Sequence, residues 1–347
     1  MRSANGQAPI LSAVVVAWNS ADATAACLQS LRTSAKLAGV ELEAIVVDNG
    51  SDDGSALMAA AAGECLIRNP VNAGFGVAAS QGLALAQAPL ALLVNPDVVV
   101  DEGFVGAVVA AAGECGGEVA ALVPDVRFTE DPGRVNVRGI VVDEVGVPAE
   151  AESGELAVPL QGRRDVFGGS SGGCVFRLEA LRRLGGLETA FFAYLEDVDL
   201  AWRLNECGYR AVLLPDAIAF HEGSASTGEG SWLKSFLVAR NRRLLFRLHA
   251  PRSLRTRGWR VATEVGHAVW TIAAGAGTAP VVGRRDALRL RRYIRFVLAS
   301  RRAAGEPIGS PVRLAPRVPF RQALIRKRGA KALMTPRRTP DSWGEHA

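Results

Sequence analysis

Two acidic segments contain the side chains that could do chemistry. An apolar run that starts at Leu92 stops at Asp97, and further along the chain Glu196, Asp197 and Asp199 are crowded into four positions. Carboxylates at such short spacing repel one another, and proteins keep them where a cation, a proton or a cationic partner belongs to the site. The two segments therefore indicate a metal site, a general base, or both.

The length and composition fit a globular protein. A chain of 347 residues with 49% hydrophobic residues can bury one large core or two smaller ones. Its five cysteines are scattered and form no Cys-x-x-Cys pair. This pattern indicates a reducing compartment and argues against a disulfide framework or a zinc knuckle.

The charge is divided unevenly along the chain. Residues 1–233 hold 14 Lys and Arg against 30 Asp and Glu, whereas residues 234–347 hold 26 against 5. An acidic body with a basic C-terminal part indicates contact with something anionic: membrane phospholipid, a lipid diphosphate or nucleic acid. The basic part has few aromatic residues at stacking spacing and no recognisable nucleic-acid module, which argues against nucleic acid.

The first part of the chain alternates between strand and helix patterns. Apolar, β-branched runs predict strands at 10–17, 43–48, 64–68 and 90–94. Helical patterns lie between them at 20–38, 56–62 and 73–87. This alternation predicts an α/β fold with a parallel sheet and right-handed crossovers.

The second part of the chain is less regular. Residues 125–165 predict an antiparallel excursion or hairpin, and a glycine-rich segment leads into a strand within 168–177. Helices are predicted at 178–184, 196–207 and 231–248, with a strand at 211–214 between the last two. The apolar stretch 261–282 contains charged residues, glycines and a proline, so it predicts an amphipathic hairpin on a membrane surface rather than a spanning helix.

Polar residues follow the predicted strands where each of them ends. Asn19, Asp48, Asn69 and Asp97 come directly after the four strands of the first part. In an open parallel sheet, ligands bind beyond the carboxyl ends of the strands. The sequence therefore predicts a ligand site at this edge.

Five motifs resemble glycosyltransferase family 2, and most of all its rhamnosyltransferase-like branch. They stand in order as VVVAWN (14–19), VVDNGSDDGS (46–55), NPVNAGFG (69–76), LVNPD (93–97) and EDVDLAWR (196–203). The resemblance covers roughly residues 10–250. It implies a GT-A (nucleotide-diphospho-sugar transferase) fold, in which helices flank a mostly parallel central sheet. The predicted domains are this unit at 1–250, a basic helical extension at 251–304 and an irregular Pro/Arg-rich tail at 305–347.

The resemblance also implies how the donor would be bound. Asp48 would accept the N3–H of uracil or thymine, although a loop carboxylate could also cap the next helix. Further substrate contacts are implied for a set of residues along the same edge: Ala17, Asn19, Asn72, Asn95, Gly173, Glu196 and Arg240.

The resemblance also implies a divalent cation, Mn²⁺ or Mg²⁺, at the fourth motif and at His221. Asn95 and Asp97 stand where the family has its Asp-x-Asp motif, and because Asn is a weaker, neutral ligand, Asp97 would make the direct metal contact. His221 would be a further metal ligand or would contact the diphosphate. The alternatives are a simple Asn-Pro turn at Asp97 and a structural histidine at His221.

The family inverts the anomeric centre, which needs one general base and no covalent nucleophile. The resemblance favours Asp197 over Glu196 as that base, and crowding by Glu196 and Asp199 would raise the pKa of Asp197 towards a useful range. The alternative is that these acids only satisfy the N-terminus of the helix. Asp199 is predicted to pair with Arg203 at i+4.

The sequence thus predicts an inverting, metal-dependent glycosyltransferase. The donor would be a UDP- or dTDP-sugar, with L-rhamnose from dTDP-rhamnose as the first candidate. The acceptor would be a saccharide, linked to polyprenyl diphosphate, in cell-wall or surface polysaccharide synthesis. The enzyme would lie in the cytoplasm at the inner face of the membrane, held on anionic lipid by its basic extension. The alternative is an inactive nucleotide-sugar-binding or scaffolding protein of the same fold.

Overall fold

A computed structural model describes residues 8–62, 64–222, 231–249, 254–309, 312 and 314. Its first part alternates between strands and helices, with bounds within two residues of the predicted ones. These elements are β1 (Leu11–Ala17), α1 (Ala21–Leu37), β2 (Leu42–Asp48), α2 (Ser55–Ala61), β3 (Cys65–Arg68), α3 (Phe75–Leu85) and β4 (Leu90–Val94). All residues of β1 and β4 are buried, as the uninterrupted apolar runs predict for central strands.

Three elements follow in a segment for which the sequence pattern predicted none. They are β5 (Val98–Val100), α4 (Phe104–Glu114) and β6 (Val119–Phe128). Helix α4 buries Phe104, Val105, Val108 and Ala111, which recur at helical spacing. Its remaining residues are also mostly apolar, so the stripe lacks the polar contrast that makes a helix visible in a sequence.

The predicted antiparallel excursion is confirmed. It contains β7 (Val135–Val137), β8 (Ile140–Val142), β9 (Pro148–Glu150) and β10 (Arg164–Val166). β8 pairs with β9 in a small antiparallel sheet, and β7 pairs antiparallel with β6. A fully buried guanidinium joins this excursion to the main sheet, because Arg138 donates to Asp125 of β6 at 2.8 Å and to Glu152 at 3.1 Å.

The chain then returns to the main sheet. The next elements are β11 (Gly173–Arg177), α5 (Leu178–Arg183), a 3₁₀ turn (Thr189–Phe191), α6 (Glu196–Glu206) and β12 (Arg210–His221). β12 is longer than the predicted 211–214 because it continues past an irregularity between Leu214 and Ile218. Helix α6, predicted at 196–207, buries Val198, Leu200, Ala201 and Leu204.

The main sheet has the strand order β10-β12-β6-β11-β4-β1-β2-β3, with β5 pairing to β12 and β7 to β6. Strands β1, β2, β3 and β4 are parallel to their neighbours among these four, and β12 is parallel to β6. β11 runs antiparallel between β4 and β6. Buried apolar clusters cover both faces, so the predicted α/β fold with a mostly parallel sheet flanked by helices is confirmed.

The C-terminal part is helical. It contains α7 (Trp232–Leu248), α8 (Leu254–Thr271), a π-helical turn (Ile272–Ala276), α9 (Ala279–Arg289) and α10 (Arg291–Ala303). The hairpin predicted at 261–282 is therefore α8 and α9, which start earlier and end later than predicted. Among the described residues, none of the helices combines the length and hydropathy needed to cross a membrane. The predicted irregular tail at 305–347 falls almost entirely outside the described residues.

Candidate active site

The carboxylate of Asp48 is fixed at the end of β2. It lies opposite Ala17 in the β1–β2 register and has no exposed surface. The backbone N–H of Ser51 donates to one carboxylate oxygen at 3.2 Å, and Arg68 Nε lies 3.5 Å from the other. Asp48 is thus held in place by its own loop and by the next strand before any ligand arrives.

Two of the asparagines predicted to contact substrate also organise the loops around Asp48. The N–H of Asn19 donates to Ser51 Oγ at 2.9 Å, and Asn19 Oδ1 accepts from the N–H of Asp52 at 3.0 Å. Asn72 Oδ1 accepts from Asn49 Nδ2 at 3.0 Å. The loops after β1, β2 and β3 are therefore tied together, and the substrate roles of Asn19 and Asn72 stay predictions.

One glycine in this loop cluster is required by both its conformation and its surroundings. Gly50 has φ of +83°, and a Cβ at this position would lie 2.6 Å from the carbonyl carbon of Val71. Any side chain here would push apart the loops that follow β2 and β3.

Asp97 and His221 meet at the same edge of the sheet. His221 ends β12 and pairs in register with Val98 of β5, which places it beside Asp97. Asp97 Oδ1 and His221 Nε2 lie 3.3 Å apart, and neither atom has a hydrogen-bond partner among the described residues. The other ring nitrogen of His221 lies 3.2 Å from Asn136 Oδ1, which orients the imidazole.

This pair fits a hard divalent cation. A carboxylate oxygen and an imidazole nitrogen are both metal ligands, and Mg²⁺ commonly takes few ligands from the protein and the rest from substrate phosphates and water. Among the residues that the structure describes, no three His, Cys, Asp or Glu side chains converge to hold a metal by themselves. The donor diphosphate would therefore have to complete the coordination shell.

Asn95 stands with Asp97 in the segment that corresponds to the Asp-x-Asp motif, and its backbone holds this segment in place. Its N–H donates to the carbonyl of Gly172 at 3.1 Å, and its carbonyl accepts from the Cys27 thiol at 3.7 Å. The side chains of Asn95 and His221 line one cavity together with the glycine backbone at Gly172 and Gly173. Both predicted contacts, Asn95 and Gly173, thus lie next to the candidate metal pair.

The carboxylates of Asp197 and Glu196 occupy different environments at the start of α6. Asp197 accepts hydrogen bonds from the backbone N–H of Val198 at 2.8 Å, from the Ser170 hydroxyl and from the Ser171 N–H. Burial raises the pKa of Asp197 above its ordinary value in spite of these bonds. Oε2 of Glu196 is buried and has no hydrogen-bond partner among the described residues.

These environments separate the two acids by protonation state. Burial, followed by the nearby negative charge of Asp197, raises the pKa of Glu196 to about 8. At neutral pH Glu196 therefore keeps its proton, whereas Asp197, which receives the stabilising hydrogen bonds, ionises first. Glu196 therefore holds its proton more strongly than Asp197, which makes Asp197 the better candidate for a general base.

The sequence profile of Glycosyl transferase family 2 matches residues 12–185, half of the chain. A second profile, Glycosyl transferase family group 2, matches residues 151–272. The chain belongs to glycosyltransferase family 2. The matched segments contain Asp48, Asp97, Glu196 and Asp197, so the family assignment covers the edge of the sheet described above.

Relatives of this glycosyltransferase agree with the assignment. The chain is 27% identical, over 207 residues, to the N-acetylglucosaminyl-diphospho-decaprenol L-rhamnosyltransferase of Mycobacterium tuberculosis, a match to 53% of this chain and 67% of that protein. This similarity agrees with the rhamnosyltransferase-like branch that the motifs indicate.

Solved structures confirm the GT-A fold of this glycosyltransferase. A mannosyltransferase of Pyrobaculum calidifontis, in complex with GDP-Man and Mn²⁺, superposes with a TM-score of 0.52 at 17% identity over 86% of each chain. GalNAc-T7, with UDP, GalNAc and Mn²⁺, gives a TM-score of 0.55 at 13% identity over 86% of this chain and 58% of that one. At these identities the likeness establishes the fold alone.

The loop that precedes Asp197 is strained in this glycosyltransferase. The backbone of Phe192, Tyr194 and Leu195 has φ of +65°, +70° and +69°. Residues other than glycine rarely adopt this left-handed region. Such residues cost about 1–3 kcal/mol each and persist only when neighbouring structure holds them. Strain of this kind collects at functional sites, which agrees with the position of the loop next to Asp197.

Helix α7 supplies the groups that hold the strained loop. Nδ2 of the fully buried Asn241 lies 2.8 Å from the carbonyl oxygens of Phe191, Ala193 and Tyr194. Arg240, for which a substrate contact was predicted, donates from Nη2 to the Phe191 carbonyl at 2.9 Å. The structure thus gives Arg240 a loop-holding role that the sequence did not reveal, and its contact to the substrate stays a prediction.

Asp199 belongs to the interior rather than to the reacting edge. Arg203 Nε donates to it at 2.8 Å, which confirms the predicted i+4 pair, and His249 Nε2 lies 2.7 Å from its other oxygen. Burial alone would raise the pKa of Asp199, but Arg203 and His249 hold it well below its usual range. Asp199 therefore stays ionised and braces α6 in place.

His249 is a residue that sequence reasoning missed. It is fully buried, stacks on Trp202, and its second ring nitrogen lies 3.6 Å from Glu206, which also accepts from Arg301 of α10 at 3.0 Å. Burial opposes the charge of the imidazolium, yet the hydrogen bond to Asp199 and the negative charges of Asp199 and Glu206 outweigh it and raise the pKa of His249. No local pattern points to this histidine, because its partners lie about 40 to 50 positions earlier in the chain.

Proposed function

We propose that this glycosyltransferase is an inverting, metal-dependent enzyme that moves a sugar from a UDP- or dTDP-activated donor to a saccharide acceptor. L-Rhamnose from dTDP-rhamnose is the first candidate, and the acceptor is a saccharide on polyprenyl diphosphate, in cell-wall or surface polysaccharide synthesis. The similarity to the mycobacterial decaprenol-linked rhamnosyltransferase supports this choice of sugar and acceptor. An acceptor with a polyprenyl chain sits in a membrane, so the enzyme would work at its cytoplasmic face.

One observation carries the proposal. The short segment 170–173 contacts both acidic clusters: Ser170 and Ser171 donate to Asp197, and the carbonyl of Gly172 accepts from the N–H of Asn95. The candidate base and the candidate metal motif are therefore built on one piece of backbone. That arrangement supports a donor phosphate and an acceptor hydroxyl that meet at this edge of the sheet.

The roles of the chain's residues follow from their surroundings. Asp48, fixed at the end of its strand, would accept the N3–H of the pyrimidine base. Asp97 and His221 would hold the divalent cation, which when bound offsets the charge that builds on the leaving nucleoside diphosphate. The lack of hydrogen-bond partners for Asp97 Oδ1 and His221 Nε2 supports their use as ligands.

Asp197 would act as the general base. Its carboxylate would take the proton of the acceptor hydroxyl while that oxygen bonds to the anomeric carbon and the carbon–oxygen bond to the donor phosphate breaks on the opposite side. This single displacement inverts the anomeric centre. Glu196, which keeps its proton at neutral pH because its pKa is raised, would not compete with Asp197 for the proton of the acceptor hydroxyl.

The test is a thermal-shift panel of UDP-, dTDP- and GDP-sugars, each with and without Mn²⁺, followed by a transfer assay with the nucleotide sugar that stabilises the protein most. We expect pyrimidine nucleotides to raise the melting temperature, and Mn²⁺ to increase that shift in the wild type but not in Asp97→Asn. A shift from GDP-sugars alone would contradict the role of Asp48, and a shift that is independent of Mn²⁺ would contradict the metal site.

A further inference from the structure

Helix α8 has the reverse of the usual polarity of a surface helix. Its outer face carries Val261, Val265 and Val269, which are exposed by 63%, 56% and 62% and recur at helical spacing, and Ile272 at the start of the π-helical turn is exposed by 45%. Surface helices of globular proteins normally turn such a stripe toward the core. Here the described residues leave the stripe exposed to solvent from Val261 onward.

The opposite stripe of α8 faces the protein and is polar. Glu264 forms ion pairs with Arg242 of α7 at 2.7 Å and with Arg284 of α9 at 3.1 Å. The guanidinium of Arg260 stacks over the ring of Phe246 at 5.8 Å. These contacts fix the rotation of α8 about its axis, because turning the valines inward would expose this ion-pair cluster and strip it of its partners.

Further apolar residues are exposed beyond α8, in a part of the chain that is rich in arginine. Past the π-helical turn, Val281 and Val282 of α9 are exposed by 46% and 40%. Residues 254–303 contain eleven arginines and only two acidic residues. Both acids are paired with arginine, Glu264 as described and Asp286 with Arg289 at 3.7 Å.

We propose that the outer face of α8, with Val281 and Val282 of α9, docks onto the surface of an anionic phospholipid bilayer. An apolar stripe beside a dense set of arginines matches acyl chains beside negative headgroups, and each basic residue near such a surface adds to the attraction. A second copy of the chain fits less well, because it would bring two arginine-rich borders together. The inference rests on the proposed function only in that a membrane-bound acceptor makes such docking useful.

The docked face is linked to the active site through one helix. α9 packs closely on α7, since a Cβ at Gly283 would lie 2.3 Å from the carbonyl oxygen of Phe236. α7 carries Asn241, which holds the strained loop before the base. A bilayer under α8 and α9 would therefore lie one helix layer away from the loop that leads to Asp197.

The test is co-sedimentation of the full chain with phosphatidylcholine vesicles that contain 30% phosphatidylglycerol. The variant Val265→Glu/Val269→Glu is compared with Leu37→Glu/Leu57→Glu, which makes the same change of charge at leucines exposed by 63% and 76% on α1 and α2. We expect the first pair to weaken vesicle binding at least about tenfold and the control pair less than about twofold. Val265→Gln/Val269→Gln, which adds no charge, should also weaken binding, and pure phosphatidylcholine should bind the wild type less tightly.

Three outcomes would overturn the inference. The first is a wild type that does not sediment with anionic vesicles. The second is a Val265→Glu/Val269→Glu variant that binds them as well as the control pair does. The third is a wild type that binds no vesicles and forms a dimer in solution that the valine variants dissociate, which would show that a second copy covers the face. Transfer to a water-soluble acceptor tests the proposed chemistry separately and should be equal in both pairs of variants. Valine variants that lose vesicle binding but keep this transfer would show that the face serves docking and not the reaction. A wild type that transfers no sugar to the soluble acceptor would contradict the proposed function and leave the docking result unaffected.

Discussion

The sheet region and the C-terminal helices treat polarity in opposite ways. In the sheet, apolar side chains such as Val15 and Leu92 are fully buried and carboxylates such as Asp48 and Asp97 collect at the strand ends. In α8 the charged Glu264 faces inward and Val265 faces solvent. In the first region the apolar side chains fill the core, and the carboxylates lie at the edge of the sheet, where a ligand can reach them. In the second region the described residues leave an apolar stripe of α8 exposed.

The largest effect is expected at the reacting edge of the sheet region. Asp197→Asn removes the proposed base and keeps the shape of the side chain, so we expect kcat to fall on the order of a thousandfold while the donor still binds. Steady-state kinetics and donor titration measure the two quantities. Asp216→Asn, an exposed aspartate of β12, is the matched control and should leave kcat unchanged. Transfer by Asp197→Asn at the wild-type rate would move the base to another residue.

The buried charge cluster where the two regions join should show the next largest effect. His249→Gln leaves Asp199 and Glu206 without their imidazolium partner, and breaking a buried ion pair costs about 3–5 kcal/mol in the free energy of unfolding. For a chain of this size that corresponds to a drop in Tm on the order of 10 °C. Arg301→Gln should also destabilise, whereas Arg289→Gln, at an arginine side chain exposed by 87%, should not.

The same cluster predicts a pH dependence of stability. Because the folded-state pKa of His249 is raised, its contribution is fully present below the unfolded pKa and is lost as the pH rises through the folded value. The wild type should therefore lose part of its stability on the alkaline side, as followed by thermal melts across pH. His249→Gln should lack that component, and an unchanged alkaline loss in the variant would assign it to other groups.

A smaller effect is expected where the donor base would bind. Asp48→Asn replaces a charged acceptor with a neutral one, so we expect the affinity for a pyrimidine nucleotide to fall on the order of tenfold. Titration of UDP and dTDP measures this directly. Asp52→Asn, at an exposed position in the same loop, should bind like the wild type. Equal affinities in all three proteins would remove Asp48 from the nucleotide site.

The smallest effect concerns the shape of the pH–activity profile. As the pH rises through about 8, Glu196 ionises and places a second negative charge beside Asp197. We expect the donor KM to rise above that pH in the wild type and to stay level in Glu196→Gln. The acid limb, where Asp197 takes up its proton, should remain in both proteins, because Glu196 is already neutral there. An alkaline rise that persists in Glu196→Gln would have a different origin.

The sequence predicted what local patterns determine. The alternation over residues 10–94 was visible because each strand there is a continuous apolar run with polar residues at its end. Helix α4 was missed because Phe104 and its apolar neighbours surround the helix almost evenly. The meeting of Asp97 with His221 was expected from the family resemblance, whereas the role of His249 depends on partners far away in the chain. The apolar stretch in α8 was recognised, but a sequence cannot tell which side of a helix turns inward.

The hydrogen bonds from α7 to the strained loop also determine when, during synthesis of the chain, the segment before Asp197 becomes ordered. Asn241 and Arg240 hold carbonyl groups that were made 47 to 50 residues earlier, and Arg301 reaches Glu206 across 95 residues. A nascent chain that has emerged as far as residue 222 contains every described strand of the main sheet, but the segment before Asp197 still lacks the hydrogen bonds from Asn241 and Arg240 of α7. We therefore expect nucleotide binding to mature before catalysis, and the enzyme to become active only when its last helices leave the ribosome and dock.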